Sequence, residues 1–255
     1  MLTWIGNVLE LTCDAFLGGS FTLLQPARGY RAGLDAMILA ASLPAAARGS
    51  ILDVGCGVGA VSLALLKRLD DIHVFGLERN PMMMGLAARN AVENGLGTHF
   101  HAQCADLFMS LRSEPLLFDH VISNPPYFTD QKGSPYADRR LARTVAPGRT
   151  FADWLFFCLR MVRHKGWLRI IAPASSLTDM CVVLHARAGN IHVMPIQSRA
   201  DKPATRIVLV AQRQSKAPLK LLSPLVLHEA DGSYTKRAQD IMRHGLPIGE
   251  LEGTC

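Results

Sequence analysis

The 255-residue sequence predicts an α/β protein: a seven-stranded, mostly parallel sheet with an antiparallel last strand, flanked by helices and preceded by a β-hairpin. Three observations carry this prediction. From Ser50 onward, short β-branched or leucine-rich runs alternate with amphipathic segments, the signature of βαβ units. A glycine-rich turn, "DVGCGVG" (53–59), sits at the first strand-to-helix junction. The last two runs, within "NIHVMPIQSRADKPATRIVLVAQ", are joined by a short Asp/Lys/Pro linker with no room for a crossover helix, so they pair antiparallel.

Taken in order, "LTCDAFLGGSFTLLQPARGYRAG" places Gly18 and Gly19 between two apolar-alternating runs and reads as a hairpin with a tight turn. A helix over 33–43 follows, with Asp35 in its first turn, where a carboxylate suits the helix dipole. Strands are expected at 50–54, 72–77, 98–103, 117–123, 166–172, 191–197 and 205–212. Helices fill 59–69, 82–94, 151–164 and 175–188, with a short turn near 107–112; they supply the crossovers that parallel strands require. The tail "LVLHEADGSYT" turns at Asp231 and Gly232 before a short helix through Met242. The simplest organisation is a hairpin-and-helix embellishment (1–49), a core (50–215) and a C-terminal extension packed on it (216–255).

With 49% hydrophobic and 19% charged residues, the chain has the composition of a soluble globular protein. Its start lacks the basic-then-apolar pattern of a secretory signal, and its longest apolar stretch is interrupted at Pro44. A cytoplasmic protein is expected. Six cysteines without a CxxC pair read as free thiols in a reducing compartment, and His99 and His101 share a strand face with no third ligand in view, so no metal is expected. The net charge of +6 favours a polyanionic partner. Arg160, Arg163 and Lys165 read as a solvated helix face. The loop from Lys132 to Arg149, with Arg139, Arg140 and Arg143, reads either as a nucleic-acid contact or as a solubilising surface.

The chemistry-bearing residues follow strand ends. After the strand ending at Asp53, Gly55, Cys56, Gly57 and Gly59 let the backbone turn sharply and approach a ligand. An acid two positions before the first glycine suits a cationic or amino-acid-bearing ligand better than a pyrophosphate. Glu78, beside Arg79, stands where an acid can accept from both hydroxyls of a ribose, or else it pairs with that arginine. Asp106 and Leu107, in "CADLF", follow the third strand and could meet an adenine amino group. Met82 to Met84 read as helix packing.

In "FDHVISNPPYF" a buried strand ends in Asn124, Pro125, Pro126 and Tyr127, on the same sheet edge as the glycine loop. An amino group on a planar ring or amide has a delocalised lone pair, so methylating it requires acceptors that hold both N–H groups and aim the nitrogen at the donor. Asn124 Oδ1 and the Pro125 carbonyl are two such acceptors, the prolines fix them, and Tyr127 offers a stacking face.

The order "DVGCGVG", Glu78, "ADLF" and "NPPY" resembles class I S-adenosylmethionine-dependent methyltransferases that act on planar nitrogens. The flanks "DAFLGGSFTLLQPARGYRAGLDAMILAASLP", "DKPATRIVLVA" and "LVLHEADGSYT" resemble the bacterial tRNA(Val) adenine N6-methyltransferases, across nearly the whole chain. That resemblance implies the class I Rossmann-like sheet with its final hairpin, S-adenosyl-L-methionine as cofactor and a tRNA anticodon-loop adenine as substrate. It also marks Tyr30, Arg31 and Asp35, with Gln25, as cofactor-side residues, packing being the alternative for Gln25 and Tyr30. Lys132, Arg139, Arg140 and Arg143 become substrate-side residues, and a monomer is favoured. A glutamine methyltransferase, a guanine N2-methyltransferase, a non-catalytic binding module and a nicotinamide oxidoreductase are the rivals. The short hairpin-like N-terminus, the intact tetrad and the GxGxG spacing respectively disfavour the first, third and last.

Overall fold

The structure is a computed structural model, and it describes residues 10–29, 31–106, 116–125 and 150–251. The hairpin forms as β1 (Leu11–Phe16) and β2 (Phe21–Pro26), antiparallel and closed through a tight turn at Leu17–Gly19. Helix α1 (Leu34–Ala41) leads into β3 (Gly49–Val54), and the alternation continues as α2 (Ala60–Leu66), β4 (Ile72–Glu78), α3 (Pro81–Glu93), β5 (Phe100–Cys104) and β6 (Phe118–Ser123). Then come α4 (Phe151–Met161), β7 (Val162–Pro173), α5 (Leu177–Leu184), β8 (Ala188–Gln197) and β9 (Arg206–Arg213). The tail adds two-residue strands β10 (Lys220–Leu221) and β11 (Leu225–Val226) and helix α6 (Lys236–His244).

The strands order as β10-β8-β9-β7-β6-β3-β4-β5, with β11 also on β8. Only β9 runs against its neighbours, inserted between β7 and β8. The seven expected strands are therefore β3 to β9, and the sheet gains two short parallel strands that two residues apiece were too few to announce. Both faces are covered, as a parallel sheet requires. Ile51, Ile122 and Ile171 bury on the side of α1, α2, α3 and the hairpin. Leu52, Val121 and Ile170, one residue out of phase, bury under α4 and α5.

Helix boundaries follow local chemistry. Asn80 caps α3 by accepting from Met82 N at 3.0 Å, with Pro81 in the first turn, and Thr150 and Asp153 form a reciprocal capping box for α4. The helix expected over 151–164 stops at Met161, because Val162 turns extended (φ −76°, ψ 133°) and opens β7. Arg163 and Lys165 thus stand on a bulge at the start of β7, not on a helix face. Arg169 is a second departure: rather than a surface charge it is 1% exposed, its Nε donating to Ser42 O at 3.0 Å at the end of α1. Its guanidinium meets His120 Nδ1 at 3.2 Å, and burial together with that positive charge pushes the imidazole down to about 3. Arg68 similarly serves the carbonyls of Ala40, Leu43 and Gly245, tying α1 to α6. A carbonyl cluster at a helix C-terminus carries partial negative charge, so each arginine has a dipole for its counter-charge.

Candidate active site

Four adjacent strands end in one row. Ser123 on β6, Val54 on β3 and Leu77 on β4 are direct Cα partners, and Glu78 on β4 partners Cys104 on β5. The next residues along, Asn124, Gly55 and Glu78, therefore share a level at the C-terminal edge, and Asp106 follows two residues after β5. With neighbouring strands about 4.8 Å apart, Asn124 and Glu78 stand roughly 10 Å from each other with the glycine loop between them. Open α/β sheets bind ligands at such an edge.

The loop glycines divide by what surrounds them. A Cβ on Gly55 would lie 3.0 Å from the Trp154 ring, and one on Gly59 would lie 3.2 Å from Leu63 and 3.4 Å from Ala87; these two let neighbouring helices close in. Gly57, in the left-handed region at φ +57°, has no atom within 4 Å of that position. Its open side is space for a ligand to approach the backbone. The loop is braced from below: Gly55 N and Cys56 N both donate to Leu77 O, at 2.8 and 3.2 Å.

The acids behave differently from one another. Glu78 accepts from Gly57 N at 3.1 Å with Oε2 and from Asn80 N at 2.8 Å with Oε1, which fixes the carboxylate while each oxygen keeps a lone pair for a hydroxyl. Arg79 is exposed beside it and makes no ion pair among the described residues. Asp53 is 1% exposed and accepts from Ser62 Oγ at 2.6 Å. Burial raises its carboxyl to about 7, the Ser62 hydrogen bond opposing and the Glu78 charge reinforcing the rise. The buried Cys56 thiol is likewise pushed up by burial and by the two acids, so it is an inert neutral group in this loop.

Before α1, Gln25 is buried; its Oε1 accepts from Ala32 N at 2.9 Å and its Nε2 donates to Asp14 at 2.8 Å. Arg31 reaches the same Asp14 at 2.7 Å, and Thr12 at 2.8 Å. Burial would raise the Asp14 carboxyl, but the Gln25 and Thr12 hydrogen bonds and the Arg31 charge outweigh it and hold the group below its usual value. Gln25 and Arg31 thereby lash the hairpin to the lead-in of α1. Asp35 pairs with Arg206 at the start of β9, on the same sheet edge.

Several residues that position the site had no signal in the sequence. Asn90 on α3 accepts from Leu24 N at 2.8 Å and donates to Leu24 O and to Val58 O in the glycine loop, both at 3.0 Å. Trp154 Nε1 donates to Ser123 Oγ at 3.0 Å, and that hydroxyl donates on to Val54 O at 2.8 Å, locking the strand that ends in Asn124 to the one that ends in the loop. Asn124 and Pro125 are described; Tyr30, Leu107, Pro126, Tyr127, Lys132, Arg139, Arg140 and Arg143 lie outside the described residues. His99 stacks on His73 and His101 lies tilted against Phe75, and no group of three His, Cys, Asp or Glu among the described residues could hold a metal ion.

Residues 32–146 match the family model of the methyltransferase small domain. The chain is similar, at 25% identity over 213 residues (82% of this chain and 84% of the relative), to a protein of Proteus mirabilis named tRNA1(Val) (adenine(37)-N6)-methyltransferase. An identically named protein of Yersinia pseudotuberculosis is 25% identical over 243 residues, covering 92% of this chain and 94% of the relative. Among solved structures, a predicted O-methyltransferase from Agrobacterium tumefaciens superposes with a TM-score of 0.66 at 28% identity, covering 81% of this chain and 94% of that one. A T. thermophilus 16S rRNA N2 methyltransferase, solved with AdoMet and guanosine, superposes at 0.58 with 18% identity, covering 83% of this chain and 52% of that one. The fold is that of the class I methyltransferases.

Proposed function

We propose that this protein is an S-adenosylmethionine-dependent methyltransferase that modifies the exocyclic N6 of an adenine in tRNA, at position 37 as in the named relatives. The observation that carries the reading is the single row formed by Asn124, the glycine loop and Glu78.

The residues present fit this cofactor. The open side of Gly57 admits a ligand against the backbone, Glu78 is held with free lone pairs where a ribose would lie, and Asp53 supplies a carboxyl close to the loop. When bound, S-adenosylmethionine supplies an electrophilic methyl group on a sulfonium. The protein's own contribution is position. Asn124 Oδ1 and the Pro125 carbonyl accept from the two N–H groups of the target amine, which turns its lone pair toward the glycine loop. Held within reach and aligned, the nitrogen needs no strong base before attack; its extra proton leaves afterwards to an acceptor or to water. An oxygen nucleophile, with one proton at most, would leave one of these two acceptors without a donor.

The reading is tested by incubating the protein with labelled S-adenosylmethionine and tRNA lacking its native modifications, then digesting the RNA and identifying the nucleosides. Label in N6-methyladenosine is expected. Label confined to N2-methylguanosine, or recovered in protein, overturns it.

A further inference from the structure

The N-terminal edge of the sheet, opposite the catalytic row, gathers the chain's charge. Three segments meet there: 156–168 at the end of α4 and start of β7, 184–190 between α5 and β8, and 211–217 at the end of β9. They contribute Arg160, Arg163, Lys165, Arg187, Arg213 and Lys216, and they contain no Asp or Glu. Asp119, which pairs with Arg163 at 2.5 Å, is the one acid that joins an ion pair with them among the described residues. These segments with Asp119 carry 6 − 1 = 5 of the net +6; adding Arg48, Asp70 and Asp71 at the starts of β3 and β4, the edge as a whole holds 7 − 3 = 4.

The segments are knitted into one surface. Arg213 donates to Arg160 O at 3.2 Å and to Val162 O, Lys165 Nζ donates to Gln214 O at 3.0 Å, and Gln214 N donates to Arg187 O at 2.8 Å. The Arg187 guanidinium lies 5.6 Å over the ring of Phe156, which is 42% exposed on α4. A plainer account is that these cations cap the C-terminal carbonyls of α4 and α5. That covers Arg213 and Arg187, the latter donating to Val183 O at 3.0 Å, and two helix ends offset about one charge in all. It leaves Arg160 and Lys216, both exposed and without an ion pair among the described residues.

We infer that this edge is a landing surface for the phosphate backbone of the RNA substrate, engaged at a distance from the methylated base. The inference rests on the reading of the protein as an RNA methyltransferase. Because the five steps of β7 from Val162 to Trp167 match only two of β6, from Phe118 to His120, the ladder advances 2 + 6 = 8 residues between Val162 and Pro173, and the two edges lie roughly 26 Å apart at 3.3 Å per residue. Only an RNA with an extended, folded body reaches both edges; a short stem-loop carrying the target adenine reaches the catalytic edge alone. Exposed cations on such a surface add affinity without base discrimination, and they make it salt-dependent.

The test is the double variant R160E/K216E, which removes no hydrogen bond described in the fold. With full-length unmodified tRNA, KM is expected to rise about tenfold or more and the log–log salt slope of binding to flatten by about two. kcat, cofactor affinity and the KM of the short stem-loop stay at wild-type values. Should charge reversal prevent folding, R160Q/K216Q serves: it removes the same two cations, so KM moves in the same direction and the slope again flattens by about two. A KM for full-length tRNA within twofold of wild type overturns the inference, as does an equal rise for the stem-loop, which would place these cations beside the base. A wild-type protein that makes no N6-methyladenosine in any tRNA defeats the functional reading instead, a result seen before any variant is made.

Discussion

Asn90 joins three parts of the fold that the chain order keeps apart, and its removal has a calculable cost. The side chain is 1% exposed and makes three hydrogen bonds, two to the backbone of Leu24 in the hairpin and one to Val58 O in the glycine loop. In Asn90→Ala, the part-buried N–H and carbonyl of Leu24 and the buried carbonyl of Val58 lose their partner. At about 1 kcal/mol for each bond, and more where a group stays unsatisfied, the loss comes to about 3 to 5 kcal/mol. Asn94 is an internal control. One turn further along, it bridges Thr22 N at 2.9 Å and Thr22 O at 2.8 Å in the same ladder-like way, but at the surface, where water replaces it. Asn94→Ala is therefore expected to cost about 1 kcal/mol. Urea unfolding of both variants measures the difference, and protease sensitivity of the hairpin reports whether it has come away from α3. Equal losses for the two variants, or a loss near 1 kcal/mol at Asn90, would refute the view that this asparagine fastens the hairpin and the loop together.

Three further outcomes follow from the site. Burial raises the Asp53 carboxyl from 3.8 to about 7, so the folded state holds its proton more tightly than the unfolded chain does. Stability of the cofactor-free protein should then fall as pH rises from about 4 to 7, by up to about 4 kcal/mol, and level off above; Asp53→Asn abolishes that dependence. A positively charged cofactor favours the carboxylate, so its affinity should climb through pH 6 to 8 with release of a proton, and calorimetry finding no proton release would refute the coupling. Asn124→Ala is expected to lower kcat by about a hundredfold with cofactor affinity within twofold of wild type, and loss of cofactor binding would reassign the residue. Gly57→Ala should cost only about 1 kcal/mol of stability, the left-handed strain alone, yet reduce cofactor affinity strongly, since its Cβ fills the space the ligand needs.

How much of this was legible in the sequence depended on whether the signal was local. Strands such as Ile72–Glu78 and the helix Pro81–Glu93 were readable because the apolar periodicity that marks each lies within a few neighbouring residues. The reversed direction of β9 was readable for the same reason, from the shortness of the linker at 198–205. Asn90 was not, because its partners lie 66 and 32 positions away and an asparagine on a helix more often meets water. Arg169 misled in the opposite direction. An arginine among apolar residues counts as charge in a composition, and only the arrival of the α1 carboxy-terminus beneath β7 explains how it can be buried. The basic edge was invisible in part: Arg160, Arg163 and Lys165 stood out as a run, but Arg187, Arg213 and Lys216 join them only once β8 and β9 are laid beside β7.

The arrangement also bears on where the catalytic burden falls. A reaction that depends on alignment needs its parts fixed relative to each other before substrate arrives. Val54, Ile122 and Ser123 are fully buried and Asp53 is almost so, so the strands that carry the row cannot shift without opening the core. The Trp154–Ser123–Val54 relay adds a cross-strand lock one residue before Asn124 and Gly55, and the Glu78–Gly57 bond adds another one strand over. Rigidity is thus concentrated along the row, and charge is concentrated at the opposite edge. Neither Arg160 nor Lys216 makes an ion pair that a bound phosphate would have to break among the described residues. A polyanion can therefore be drawn to that edge and held by contacts indifferent to sequence, leaving the choice of base to the acceptors at the other end of the sheet.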